Sequence, residues 1–407
     1  MSEGRASKVV ALFPWGDVVE EFLDPIGLRL GDFVEHMTGG WLFGYTAALQ
    51  LLGHTPMIVC ASERVDRIER RRHAATGAAV WIVPGRRARK EGSDAAYSVR
   101  RWRETPLAAF RDVLKSAACD VILAQEYEYT RFDALAFLAR RMGIPLYATF
   151  QGGDRTLSWI EAIARQASLR ACRGLIVASA GERTRLSRAY PRIDLNIADI
   201  PNPIDAEEWR ATDRQQARAE LGLPADRFLI INHGRIDIRR KGLDVLIEAW
   251  APFAEDRAAE LVIIGSGQDR EAFAGLLRKG GAPNVRWLSD YTTDRSLLRR
   301  WLSAADAYVT ASRIEGMPVA PLEAMACGLP VVASEAQGLP DILANGEASG
   351  GLLVRREAPD EIADRLRRLR GDAELRHRLG LAARRRVEEK FSLSAVGAAL
   401  DAFLGAT

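Results

Sequence analysis

Short apolar runs of strand length alternate with helical stretches almost from one end of the chain to the other. In the first half the runs cover residues 9–13, 57–60, 80–83, 121–124, 146–149 and 175–178. In the second half they cover 228–232, 261–264, 285–288, 307–310, 331–333 and 352–354. Most are nearly continuous in Val, Ile, Leu and Ala rather than alternating, as befits strands buried on both faces. Between them residues 41–52, 106–118, 131–142, 243–253 and 296–304 carry apolar side chains at helical spacing. The alternation predicts parallel sheets covered by helices on both faces, the doubly wound α/β class.

The rhythm breaks once. Ile200-Pro-Asn-Pro-Ile-Asp205 holds two prolines, which neither continue a helix nor sit in a central strand. With a full strand–helix series on each side, it is read as a linker between two Rossmann-like lobes, residues 1–200 and 201–390. Two such lobes predict a central cleft. Residues 391–407 read as a closing helix with Ser392 as its N-cap. A length of 407 residues suits two domains.

Composition changes little. A net charge of +3 gives no footprint for nucleic acid. Cys60, Cys119, Cys172 and Cys327 stand far apart without metal-site spacing, which predicts reduced, buried thiols. The first apolar run is too short for a signal segment and no later run suits a membrane span, so a cytoplasmic protein is expected. Charge is uneven, however. Residues 63–103 hold 12 Arg/Lys against 5 Asp/Glu, including Arg70-Arg71-Arg72, Arg86-Arg87 and Arg100-Arg101. That stretch is either a solvated basic face or a peripheral dock on anionic membrane at the inner face; its poor apolar–basic periodicity favours the former.

Three clusters carry chemistry. Glu315-Gly316-Met317-Pro318 forms a turn after the run 307–310 and leads into a helix 319–327, with Val319 first and Pro318 expected in its first turn. The free amides and positive end of that helix suit a diphosphate, and Glu323 is placed to accept two hydrogen bonds from a ribose diol. Asn232 to Gly242 follows the first strand of the second lobe and contains Arg235 and Lys241, a fork and a point charge for phosphate oxygens. Gly39-Gly40 precedes the helix 41–52 and lets backbone approach a ligand closely. The long loop from Pro14 to Thr38, with Asp17, Glu20, Glu21, Asp24 and Asp32, is read as acceptor-side.

Taken together, the Glu315–Glu323 unit, the Gly-Arg-Ile-Asp…Arg-Lys-Gly segment from Gly234, Val262-Ile-Ile-Gly-Ser-Gly267 and Glu323-Ala-Met-Ala-Cys-Gly-Leu-Pro-Val-Val-Ala333 resemble glycosyltransferase family 4 of the GT-B superfamily. Nearly the whole chain takes part, the first lobe more loosely through Gly39-Gly40, Gly143-Ile-Pro145 and Asn202-Pro-Ile-Asp205. The resemblance implies retention of anomeric configuration from a UDP-, GDP- or ADP-type sugar, transferred to a hydroxyl acceptor that is a glycan, lipid-linked or small molecule. It puts the donor on the second lobe, with Arg235 and Lys241 on the diphosphate, Glu323 on the ribose and Glu315 beside the sugar. Gly316, Met317, Pro318 and Val319 face the sugar or phosphates, and Gly39 and Gly40 face the diphosphate from the first lobe. No cofactor is implied. No Asp-x-Asp triplet is present to clamp a cation on the diphosphate, so no metal is expected. Many members of the family carry His-Gly after the strand at 146–149; here Gln151-Gly152 stands there, with Asp154 as a candidate for the acceptor hydroxyl. Two rival readings are another nucleotide-sugar enzyme of this fold, such as an epimerase, and a catalytically silent scaffold.

Overall fold

The computed structural model describes residues 7–38, 40–152, 156–280, 283–290 and 294–405. The chain divides into two compact units, one of Met1–Pro203 with Val396–Thr407 and one of Ile204–Ala395.

Unit one contains β1 (Val9–Phe13), β2 (Thr55–Ser62), β3 (Glu69–Arg72), β4 (Ala79–Pro84), β5 (Val121–Ala124), β6 (Leu146–Thr149), β7 (Gly174–Ile176) and β8 (Ile197–Ala198). They form one sheet in the order β3-β4-β2-β1-β5-β6-β7-β8, parallel except for β3 against β4. Unit two contains β9 (Phe228–His233), β10 (Ala259–Ile264), β11 (Val285–Leu288), β12 (Ala307–Thr310), β13 (Val331–Ser334) and β14 (Gly351–Val354). Their order is β11-β10-β9-β12-β13-β14, all parallel. Both are the helix-covered, doubly wound sheets that the apolar runs predict. Ile230, Leu261, Val309 and Val332 have no exposed surface. Each such side chain contributes about 1.5–3 kcal/mol by leaving water.

Two strands escape the apolar reading. Glu-Arg-Arg-Arg at β3 has no hydrophobic residue, yet it pairs antiparallel with β4 from Glu69↔Ile82 to Arg72↔Ala79. A charged edge strand stabilises itself through backbone hydrogen bonds while discouraging further pairing. The two-residue β8 is below the length at which periodicity speaks. The loop after β1 is also less irregular than its composition predicts, since helices Glu20–Leu23 and Leu30–Glu35 and a 3₁₀ turn Asp24–Ile26 lie in it.

In each sheet the strand order reverses once, between β1 and β5 in unit one and between β9 and β12 in unit two. Ligands of open α/β sheets sit beyond the carboxyl ends of the strands at such points. The last helix, Leu393–Gly405, belongs to unit one from Val396 on. Ser392 Oγ accepts from the Ala395 amide at 3.3 Å, and Val396, Leu400 and Leu404 are buried.

Candidate functional site at the switch point of unit two

The loops after β9 and β12 touch. A short helix Ile238–Lys241 follows β9, its N-terminus capped by Asp237, which accepts from the Arg240 amide at 2.9 Å. Gly242 then turns the chain at φ 59°, and a Cβ there would stand 2.0 Å from the Ala311 carbonyl oxygen. No side chain fits, so glycine is what lets the two loops close on each other. The contact brings Lys241 to Glu315. Lys241 Nζ donates to Glu315 Oε1 at 2.6 Å, and Ser312 Oγ donates to the same oxygen at 2.7 Å. Arg313 pins the arrangement from outside with a bidentate pair to Asp244, 2.8 Å on each arm, and its amide donates to the Arg240 carbonyl at 2.8 Å. Arg235, by contrast, is exposed, and its side chain makes no hydrogen bond or ion pair among the described residues.

Helix Val319–Ala326 starts beside this pair. Pro318 does not lie in its first turn as expected. It is the N-cap, with extended backbone at ψ 134°. Neither Pro318 nor Pro321 carries an N–H, so a ligand at this end meets the amides of Val319 and Ala320, which have no acceptor inside the helix. Gly316 and Met317 are buried in the turn. Glu323 sits one turn in, with 13 % of its side chain exposed and Oε2 3.5 Å from His233 Nε2. Burial pushes its carboxyl up to about 8, against the pull of Arg295 and with the help of Glu208. Burial also pushes His233 down to about 4, opposed by a hydrogen bond to the Ala320 backbone and assisted by the Lys241 charge. Tyr308 stands edge-on to the imidazole at 5.5 Å; burial, then the charge of Glu315, holds its phenol protonated. The sequence reading passed over Arg313 and His233. Their signal was adjacency: each lies within three residues of a residue singled out for chemistry.

Unit one holds the remaining predicted residues. Gly40 opens helix Gly40–Leu51 at a left-handed φ of 62°; Gly39 and Asp154 lie outside the described residues. Gln151 follows β6. Its side-chain oxygen accepts from Asn202 Nδ2 at 2.8 Å, and its backbone amide donates to Glu126 Oε2 at 3.0 Å. With the carbonyl engaged, what Gln151 keeps for a ligand is its amide N–H pair. Glu126, 3 % exposed and at a left-handed φ of 63°, stands just past β5 at this unit's own switch point. A non-glycine residue held there marks a site whose surroundings impose the conformation.

Several acids of the loop after β1 are already paired. Asp17 is buried against Arg101, which donates to both its oxygens at 2.9 and 3.0 Å. Glu20 accepts from Ser62, Asp24 pairs with Arg64 and Arg87, and Asp32 accepts from the Arg29 amide at 2.7 Å. Those same pairings consume part of the basic stretch, where Arg71 also pairs with Glu69 and Arg70 lies over Trp81 at 5.5 Å. Arg64, Arg70, Arg71, Arg87 and Arg101 are thus held by neighbouring acids or a ring.

All four cysteines are free thiols, and burial raises each of them. Among the described residues no three His, Cys, Asp or Glu side chains are grouped to hold a metal ion, and no helix is long and apolar enough to cross a membrane.

Two doubly wound units, one with cations, carboxyls and a helix N-terminus at its switch point, define a two-unit, doubly wound α/β protein. Sequence comparison makes the class specific. The family of glycosyl transferases group 1 matches residues 213–386, and Glycosyltransferase Family 4 matches residues 43–208. The alpha-maltose-1-phosphate synthase of Mycobacterium tuberculosis is 32% identical over 257 residues, which span 59% of this chain and 64% of that enzyme. A D-inositol 3-phosphate glycosyltransferase of Jonesia denitrificans is 35% identical over 208 residues, 49% of this chain and 46% of the relative. The matched stretches thus span less than two thirds of these relatives' length. Among solved structures, the sucrose-phosphate synthase of Thermosynechococcus elongatus superposes with a TM-score of 0.74 at 20% identity, covering 97% of this chain and 98% of that one. HepE of Anabaena, solved in complex with UDP, does so at 0.72 and 16% identity, covering 98% and 100%. The chain belongs to the GT-B glycosyltransferases of group 1, family 4.

Proposed function

We propose that the chain is a retaining glycosyltransferase that moves a sugar from a nucleoside-diphosphate sugar to a hydroxyl acceptor without a metal ion. One observation carries this reading: the loops after β9 and β12 gather Arg235, Lys241, Glu315, Glu323 and the first amides of helix Val319–Ala326 at one switch point. Breaking a sugar–phosphate bond builds negative charge on the departing diphosphate and positive charge on the anomeric carbon. Arg235 and Lys241, with the helix amides, answer the first charge; the Glu315 carboxylate answers the second. Lys241 is paired with Glu315, so an arriving phosphate competes for a cation already in place. Glu323 takes the ribose. In a front-face reaction the departing phosphate oxygen helps remove the acceptor proton, and a strong protein base is unnecessary.

The names of the sequence relatives include a maltose 1-phosphate and an inositol 3-phosphate product or substrate, so small phosphorylated acceptors are the first to try. The test is a panel of UDP-, GDP- and ADP-sugars against such acceptors and simple glycans, read as nucleotide release. Release with one donor–acceptor pair supports the transferase. No release with any pair, even at high enzyme concentration, supports a silent scaffold. NMR of the product decides the anomer, and an inverted linkage overturns retention. Loss of turnover in EDTA, restored by a divalent cation, overturns the metal-free reading.

A further inference from the structure

His233 ends β9 at the switch point, and its ring is buried. Nε2 is buried and has no hydrogen-bond partner. A neutral imidazole carries a single N–H, and with that N–H on Nδ1 the buried Nε2 is a bare acceptor. Facing it at 3.5 Å is Glu323 Oε2. Two buried acceptors do not lie against each other at no cost; a proton between them turns the contact into an O–H···N hydrogen bond.

We propose that His233 is a positioning residue for nucleotide binding: through Nε2 it faces the protonated Glu323 carboxyl, and it takes that proton when a ligand diol claims the carboxylate. The proposal rests on Glu323 being the ribose acid, as read above. In the step, the O–H bond at Glu323 Oε2 breaks and an N–H bond forms at His233 Nε2. Two ligand hydroxyls then donate to the carboxylate, and no proton passes to solvent. An imidazolium–carboxylate pair is left behind the nucleotide, as a buried ion pair with its hydrogen bonds satisfied. The charges around the pair are compatible with the transfer. Arg295 on the helix Arg295–Ala304 and Lys241 on the helix after β9 are cationic, Glu208 and Glu315 are anionic, and Tyr308 and Cys327 stay neutral through burial. Burial already favours the neutral acid and the neutral imidazole when no ligand is present.

The readout is the number of protons exchanged with buffer when UDP binds, from calorimetry at pH 7 in buffers of different ionisation enthalpy. GDP and ADP are run alongside, with inorganic pyrophosphate as a ligand lacking the diol. For the wild-type protein the expected value is near zero. His233→Leu should bind the nucleotide roughly tenfold more weakly, about one hydrogen bond to a charged group, and should release about one proton per nucleotide; pyrophosphate binding should not change. His233→Gln should recover affinity but still release the proton, because its amide orients without titrating. In a Glu323→Gln background, replacing His233 should change neither quantity, which guards against a folding defect. Equal proton counts in wild type and both His233 variants overturn the proposal while leaving the ribose role of Glu323 standing. Failure of the wild-type protein to bind any of the three nucleotides overturns the ribose role too.

Discussion

Glu315 and Glu323 lie eight residues apart, and their surroundings separate their roles. Glu315 is an ionic partner, receiving Lys241 and Ser312 on one oxygen. Glu323 is buried and held above the usual carboxylate range, at about 8. Glu315→Ala should therefore lower kcat by about 10²–10³-fold with a small effect on nucleotide Kd, as expected for a charge that acts in the transition state. Glu323→Ala should do the reverse, weakening nucleotide binding about tenfold or more; the opposite pattern in kinetics and calorimetry would show the roles exchanged. The raised carboxyl also has a stability sign. Its folded value of about 8 exceeds the ordinary 4.5, so the folded state holds the proton more tightly than the unfolded one. That contribution is fully present below pH 4.5 and is lost as pH rises through 8. Wild type should lose several degrees of Tm relative to Glu323→Gln between pH 5 and pH 9. Parallel Tm curves across that range would place the carboxyl in ordinary solvent. Both acids, Arg235 and Lys241 were legible in the sequence because spacing and residue type carry them. His233 was not, because a lone histidine after a strand reads as core until its neighbour across the loop is known.

At the scale of elements, the strand–helix rhythm was legible almost throughout, and the exceptions share a cause. Continuous Val/Ile/Leu runs report burial on both faces, so central strands such as β9, β10 and β12 announce themselves. Strand β3 is held by backbone pairing at an edge, which leaves no apolar mark. The acidic loop after β1 is partly hidden for a related reason: composition cannot tell an open carboxylate from one already paired, as Asp17 is with Arg101. The glycine after Lys241 is where the loops after β9 and β12 close on each other. Gly242→Ala would drive a methyl to 2.0 Å from the Ala311 oxygen at a left-handed φ of 59°. The expected cost is about 2–4 kcal/mol of stability, with Lys241 drawn away from Glu315 and nucleotide affinity reduced. Denaturant unfolding beside calorimetry would check this, and a variant as stable as wild type would mean the two loops are not locked through this contact.

For the whole molecule, the ends of the chain serve one unit. The last helix completes unit one. There Phe403 meets Tyr147 of β6 edge-on at 5.3 Å, Asp401 Oδ1 lies 3.1 Å from His54 Nε2, and Lys8 Nζ donates to the Leu404 carbonyl at 2.7 Å. Gly397 lies against the Ala48 carbonyl, where a Cβ would come within 2.8 Å, so the helix packs with its backbone close to helix Gly40–Leu51. Val396, Leu400 and Leu404 each contribute about 1.5–3 kcal/mol of burial there. The sequence therefore crosses into unit two after Pro203 and returns at its end to finish what it began. Removal of residues 396–407 should consequently weaken unit one selectively. Amide hydrogen exchange should speed up in β6 and in helix Gly40–Leu51, while β9 and β12 of unit two keep their protection. Phe403→Ala, a milder change, should move the same amides by less and leave nucleotide affinity within about twofold. A uniform loss of protection in both sheets would mean that the closing helix stabilises the chain as one cooperative body, and the assignment of its energy to unit one would fall.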